Sequence, residues 1–406
     1  MTTTPPQTYI HSAPLATLAP HLLPHLPKSL PLLRRLQFHT ASPSARTIAT
    51  FPPPSSSSPS PSPSPTTTNT APPASFAAIW ADRTRAPETE CWIFSTFETL
   101  PPPPPTPSQR HEARAQCLAL LAVTARLPAT TPLTIIGSVN ESLLRLIGGE
   151  EVGRLAPQKV VSRDTEHDDD YDDDDTGTGG GGVVRGISVP YCKWLIAPPG
   201  AEGGGGRSQG GGSLPPGYAF GELRGEDELK LTIARTEIPK TEETLAQLGC
   251  CGVRHTPGSA STATATATRT AADAREGEGQ GRGALVAWAF LGVDGSLTSL
   301  HVEPEHRGRG LAKAVSRRLF RSLADDASAM GFRAADGAGD GVGGYGRGEG
   351  WAHSDVAEEN LGSAGVARAM GGKEGWRVRW VSVDLAAVVE ERWTKLLGEE
   401  AVLRVG

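Results

Sequence analysis

Cysteine is scarce in this chain: there are five, Cys91, Cys117, Cys192, Cys250 and Cys251. The number is odd and no Cys-x-x-Cys pair occurs, which excludes an encoded disulfide framework and a thiolate zinc site. Free, mostly buried thiols in a reducing compartment follow, and the cytoplasm is the expected location. No apolar run approaches the roughly 18 residues that a membrane-spanning helix needs, so no membrane partner is expected. Neither charge dominates, with 39 Lys+Arg against 45 Asp+Glu and a formal net charge of −6. Seven of the acids stand in Asp168–Asp170 and Asp172–Asp175, and without them the balance is +1. A nearly neutral remainder excludes a strongly basic nucleic-acid binder. Acids are also missing from the N-terminus, where none precedes Asp82 while Lys28, Arg34, Arg35 and Arg46 do occur. That pattern reads either as an organelle transit peptide, with a mitochondrial location, or as an ordinary helix. The helix would span Ser29–Leu36, with Ser29 as N-cap and Pro31 in its first turn.

What is abundant is glycine (48) and proline (35), against only 37% hydrophobic residues in 406. Much of the chain cannot be core, and two modest folded lobes with long insertions are predicted. Pro52–Ser75, Arg163–Gly182, Gly200–Gly217, Thr256–Gly283 and Ala334–Gly350 read as insertions that bury too little apolar surface to offset their ordering entropy. The acidic run beside His167 reads as a solvated loop, and no metal site is expected. Between the insertions, Ala45–Phe51, Cys91–Phe97 and Leu133–Val139 read as strands. Arg110–Arg126 and Glu141–Ile147 read as helices, giving a first α/β lobe over residues 1–152. A linker over 153–217 contains one possible strand, Tyr191–Ala197. The second lobe, 218–406, offers a strand at Ala219–Arg224 and helices at Glu226–Ala234 and Pro239–Leu248, with Pro239 at a first helical position. Ala284–Leu291 and Leu297–Val302 form a hairpin about the Asp294-Gly295 turn. A long helix follows from Gly308 to Met330, then a strand at Trp351–Val356 and a helix after Asn360. A closing strand spans Trp376–Asp384. The fold class is α/β (α+β): a mixed, mostly antiparallel sheet flanked by helices in each lobe.

The most informative stretch is His301-Val-Glu-Pro-Glu-His-Arg-Gly-Arg-Gly-Leu-Ala312. A strand ends, a glycine-bearing turn follows and a helix opens. Such a turn aims several backbone N–H groups at one spot at the positive end of a helix dipole, an anion site suited to a pyrophosphate. Gly308 and Gly310 permit close backbone approach, and Arg307 and Arg309 add charge. A dinucleotide fingerprint fails, because Lys313 stands where a third small residue is needed and a hairpin replaces the crossover. A nucleotide P-loop fails because no Gly-Lys-Ser/Thr follows.

Val302–Ala312 resembles motif A of the GNAT superfamily, the acyl-CoA-dependent N-acyltransferases, although Glu305 departs at the first motif position. Trp351–Val356, Asn360–Ser363 and Met370–Gly372 resemble motif B. The second lobe is further similar to the glycine N-acyltransferase-like, FR47-like branch, through Val286-Ala-Trp288, Asp294-Gly295, Pro304–Arg307, Arg235–Pro239 and His353-x-Asp355. The resemblance implies two GNAT-like lobes, the first degenerate, and acetyl-CoA or another acyl-CoA as co-substrate. It places the acyl-CoA against Leu300, Val302, Arg307, Gly308, Arg309, Gly310, Leu311 and Ala312, with Asn360 and Ser363 on the pantetheine arm. Two positions depart: Ser296 stands where the branch has a glutamate base, and Ala367 where many relatives carry a tyrosine for the leaving thiolate.

Acyl transfer to an amine needs a proton acceptor and a donor to the developing oxyanion. Alternation along the strands puts His301 and Glu303 on one face and His353 and Asp355 on one face of the next. His301, His353 and Asp355 are therefore the candidate catalytic residues, histidine titrating in the useful range. Cys250 and Cys251 read as core thiols with no base beside them. The expected function is transfer of an acyl group, acetyl first, to the primary amine of an amino acid or another small molecule. An acyl-CoA-binding or scaffold protein without turnover is the alternative.

Overall fold

The computed structural model describes residues 6–37, 42–54, 73–159, 182–196, 214–223, 225–257, 283–325, 352–389 and 403–405. The five segments read as insertions fall largely outside these residues. The chain divides into two compact units, Met1–Lys193 with Gly375–Gly406, and Trp194–Glu374.

In chain order the first unit contains β1 (Thr8–Ile10), α1 (Pro14–Leu22), α2 (Leu30–Gln37), β2 (Arg46–Ala49), β3 (Ala77–Ala81), β4 (Cys91–Ser95), α3 (Pro107–Thr124), β5 (Leu133–Asn140), α4 (Glu141–Gly148), β6 (Pro157–Gln158) and β7 (Val184–Ser188). Strand β8 (Tyr191–Ile196) leads into the second unit. There follow β9 (Tyr218–Gly221), α5 (Glu226–Arg235), α6 (Glu242–Gln247), β10 (Cys250–His255), β11 (Ala284–Leu291), β12 (Leu297–Val302), α7 (Leu311–Asp325), β13 (Ala352–Ala357) and α8 (Leu361–Ala369). The chain then returns through β14 (Lys373–Asp384), α9 (Leu385–Val389) and β15 (Leu403–Val405). Both units run strand, two helices, three strands, helix, strand, helix, so the α/β architecture is repeated within one chain.

In the first unit the strands lie in the order β6-β7-β14-β5-β4-β3-β2-β1-β15. The β1–β15, β4–β5 and β6–β7 pairs are parallel and the rest antiparallel. Helix α3 covers this sheet. It starts at Pro107, three residues before the predicted Arg110, because Thr106 and Gln109 form a reciprocal capping box. Its C-terminal half is buried around its circumference, with Cys117, Leu118, Leu120 and Leu121 packed against Ile79, Ile93, Ile136 and Val381. The acid-free segment that reads as helix or transit peptide is α1 and α2, whose Leu18, Leu22, Leu30, Leu32 and Leu33 are core residues. Ser29 stands at the predicted N-cap position directly before α2, where its carbonyl accepts from Leu33 N at 3.0 Å, while its buried hydroxyl donates to the Leu22 carbonyl at 2.7 Å.

The sequence reading has no counterpart for β1, β3, β6, β7 and β15, and it gives β14 other partners. Every residue of β3 is buried, so Ala-Ala-Ile-Trp-Ala lacks the alternation that marks a half-exposed strand. Strand β14 was predicted to close the second lobe, but Val378–Asp384 pairs with β5, and Val381–Val383 also with β7. Val381 and Val383 complete the first unit's core, which explains that placement.

The second unit holds a four-stranded antiparallel sheet, β12-β11-β10-β9. The hairpin strands β11 and β12 stand where the sequence predicts them. Strand β10 was not predicted, and Cys251 within it is a core thiol. Trp288 and Phe290 pack with Leu229 of α5 and Leu245 of α6 on one face. Leu311, Val315, Leu319 and Phe320 of α7 are buried, and α7 packs on β10, β11 and β12. Helix α6 starts at Glu242 rather than at Pro239, because the Thr241 hydroxyl accepts from Thr244 N at 3.2 Å and caps it there.

Candidate acyl-transfer site

The site grows from one end of the β11–β12 hairpin. Gly295 takes φ +70, and its N–H reaches Gly292 O at 2.8 Å to close the turn. The Asp294 carboxylate accepts from Ser296 N at 3.1 Å and from the Ser296 hydroxyl at 2.6 Å. Ser296, where the resemblance implies a glutamate, therefore uses its hydroxyl in the turn. His353 of β13 donates from Nε2 to the Asp294 carbonyl at 2.9 Å and is 0% exposed. Beside this contact Ser296 and His353 form an isolated parallel bridge. Beyond that bridge β12 stays in its own sheet beside β11, and no further β12–β13 pairing occurs among the described residues. The two strands thus start together and part toward Val302. Asp355 is half-buried two residues along β13, on the His353 face.

Within that divergence β12 carries a bulge. Trp288 pairs with His301 and Phe290 with Thr298, so Ser299 and Leu300 stand opposite the single residue Ala289. Ser299 takes φ +49, a left-handed conformation that costs a non-glycine residue about 1–3 kcal/mol. Its hydroxyl is buried and has no hydrogen-bond partner among the described residues. A bulge leaves backbone N–H groups out of the ladder and re-aims them, which is the donor needed where a thioester oxygen would gain charge. Just past it, the His301 ring stacks on Trp288 with centroids 4.7 Å apart and planes 25° apart.

The glycine turn follows. Pro304–His306 makes one 3-10 turn, and Arg307 donates from Nε to Val302 O at 3.1 Å. Gly308 and Gly310 hold φ of +75 and +76. A Cβ added at either would meet nothing within 4 Å, so the space beside both is open. Helix α7 begins at Leu311, with Ala314 N bonded to Gly310 O at 3.0 Å. The N–H groups of the first turn lack intrahelical acceptors, and no acid stands there to neutralise the dipole. Buried Leu311 anchors the turn; Ala312 is half-buried, and Arg307 and Arg309 are exposed beside the open space. These residues fit a pyrophosphate: donors, positive charge and room occur together.

Asn360 caps α8, its side-chain oxygen accepting from Ser363 N at 3.0 Å. Leu361, next to it, is 79% exposed. Ala367, where the resemblance implies a tyrosine, is buried. Among the described residues no group of three or more His, Cys, Asp or Glu is placed to hold a metal ion. No helix among them is long and apolar enough to cross a membrane. The sequence signals found the turn and the two strands. They missed the bulge, since Leu-Thr-Ser-Leu-His-Val reads as a regular strand.

Residues 4–194 match the family model of the acyl-CoA N-acyltransferase verG N-terminal domain, and residues 277–331 match that of the FR47-like proteins. The second match spans β11, the bulge, the glycine turn and α7. The first match falls in the first unit and the second match in the second, and both are similarities to acyl-CoA N-acyltransferase and FR47-like families. The chain joins a verG-like N-terminal domain to an FR47-like segment. No curated protein matches it. Similar solved structures include a Drosophila protein from a structural genomics programme (10% identity, 92% of this chain and 97% of that one, TM-score 0.49). The tandem GNAT protein from the clavulanic acid biosynthesis pathway is another (11% identity, 93% and 98%, TM-score 0.40). A third is the GCN5-related N-acetyltransferase from Sphaerobacter thermophilus (12% identity, 94% and 97%, TM-score 0.39).

Proposed function

We propose that this protein is an acyl-CoA-dependent N-acyltransferase. Its donor is acetyl-CoA or another acyl-CoA, and its acceptor is the primary amine of an amino acid or another small molecule. The observation that carries the reading is the continuity of bulge, glycine turn and helix N-terminus along residues 299–312, next to an opening between β12 and β13. The turn from Arg307 to Ala312 would hold the pyrophosphate, and the edge of β12 at Leu300 and Val302 would pair with the pantetheine arm. Asn360 and Ser363 would border that arm at the start of α8. The bulge N–H would donate to the thioester oxygen. His301 would take the proton that the amine loses as its nitrogen bonds to the acyl carbon, while the carbon–sulfur bond breaks and the thiolate leaves. Because His353 is sealed against the hairpin turn, its proposed role is to hold the two strands at the point where they part. Asp355, farther along the same face, would border the acceptor.

A second reading is favoured by Ser296 and Ala367, which lack the acid–base groups of the family: an acyl-CoA-binding protein without turnover. Thermal melting with CoA, acetyl-CoA and longer acyl-CoAs tests the shared part. Ligand at about 100 times its dissociation constant should stabilise by roughly 2.7 kcal/mol. Release of free thiol from acetyl-CoA with a panel of amino acids and amines then separates the readings. Stabilisation without release of thiol supports the binding protein, and no stabilisation by any CoA species overturns both.

A further inference from the structure

We infer that Glu303 and Arg235 form a positioning relay for His301, fixing which ring nitrogen of that histidine faces the acceptor amine; the inference rests on the proposed role of His301. Glu303 lies two residues past His301, on the same face. Its Oε2 is 3.4 Å from His301 Nε2, and its Oε1 is 3.2 Å from Arg235 Nε at the end of α5. Each carboxylate oxygen thus has one partner on a different element. The arginine fixes the carboxylate, and the remaining oxygen faces the histidine.

His301 Nε2 is buried and has no hydrogen-bond partner among the described residues. The 3.4 Å separation from the carboxylate is longer than a formed hydrogen bond, as is common for catalytic pairs before substrate closes on them. The stack on Trp288 fixes the plane of the ring and leaves little besides rotation in that plane to close the gap. A carboxylate beside Nε2 attracts an N–H and repels a lone pair. The proton therefore resides on Nε2, and the lone pair on Nδ1, where the amine would deliver its proton. Once Nδ1 is protonated, the imidazolium lies against Glu303, with no new charge to be found. Arg235 belongs to the Arg235–Pro239 element of the family resemblance, and this contact gives that arginine a task in the site.

The test uses the full chain and the variants Glu303→Gln, Arg235→Ala and Arg235→Lys, with His301→Gln to assign the ring signals. Nitrogen-15 spectra of the histidines report the tautomer of His301 without any turnover. The wild type should show the proton on Nε2, and Glu303→Gln should redistribute it between the two nitrogens. In acetyl-CoA turnover Glu303→Gln should lower kcat by about 10- to 100-fold, below or at the low end of what a general base itself contributes, because Glu303 acts only through His301. KM for acetyl-CoA and the CoA-induced melting shift should stay unchanged. Arg235→Lys should retain more activity than Arg235→Ala. An unchanged tautomer in Glu303→Gln, or an unchanged kcat, overturns the relay. If the wild type turns over no amine, the proposed function fails, while the tautomer measurement still decides whether Glu303 orients His301.

Discussion

Replacing Gly310 by alanine puts the anion-site reading at risk with a single methyl group. The residue holds φ +76, and the added Cβ would meet no atom within 4 Å, so the packing of the free protein is not the obstacle. The cost is conformational. A left-handed L-residue is disfavoured by about 1–2 kcal/mol. At roughly 2–4 °C per kcal/mol for a chain portion of this size, the melting temperature should fall by about 2–8 °C. The informative quantity is the further shift caused by CoA. If the alanine turns the peptide to escape strain, one charge-assisted N–H bond worth about 1.5–3 kcal/mol is lost. Affinity then falls roughly 10- to 100-fold. At a CoA concentration about 100 times the wild-type dissociation constant, stabilisation should drop from about 2.7 kcal/mol to between about 0.4 and 1.4. Differential scanning calorimetry at matched CoA concentration measures both effects. If the variant melts lower but gains as much from CoA as the wild type, the glycine turn is not the phosphate site.

His353→Ala removes the buried donor to the Asp294 carbonyl and should destabilise the protein by about 1–3 kcal/mol in thermal melts; an unchanged melting temperature with lost turnover would make His353 a chemical group instead. Burial pushes the Glu98 carboxyl up to about 8, from an ordinary value of 4.5. The folded protein therefore keeps a proton that the unfolded chain gives up, and this group's contribution to stability falls as pH rises from about 4.5 to 8. Melting of Glu98→Gln across that window should show a stability gain over wild type that grows with pH, trimmed because Glu98 keeps part of its surface exposed; a constant difference refutes it. Isothermal titration should give one CoA per chain. The connection from β4 to α3 runs through Pro101–Pro105, which supply no N–H groups, and a stoichiometry of two would contradict this.

The hairpin was legible because Asp294-Gly295 names its turn and both flanking strands are long enough to show their extent. The glycine turn was legible because Gly308 and Gly310 mark backbone that few other residues adopt. Strand β3 stayed hidden because burial on both faces erases period-two alternation, and β10 because Cys-Cys-Gly-Val-Arg-His has no strong strand pattern. The bulge at Ser299 depends on how two strands register, which no local pattern encodes. The start of α6 turned on a competition between Pro239 and Thr241, which the hydroxyl's bond to Thr244 N decides. The contact between Arg235 and Glu303 was out of reach because it joins residues 68 positions apart. The partners of β14 likewise depend on a return across nearly two hundred residues.

That return has a consequence for the order of events during synthesis. The second unit is continuous from Trp194 to Glu374, whereas the first needs Gly375–Asp384 to fill the place between β5 and β7. A growing chain therefore emits the beginning of one unit, then the whole of the other, before the first can be completed. The usual rule that N-terminal portions mature first is inverted here. A chain truncated after Glu374 would hold the whole glycine-turn unit while the edges of β5 and β7 remained open. Chaperone demand should accordingly peak late in translation, at the first unit and not at the last one made.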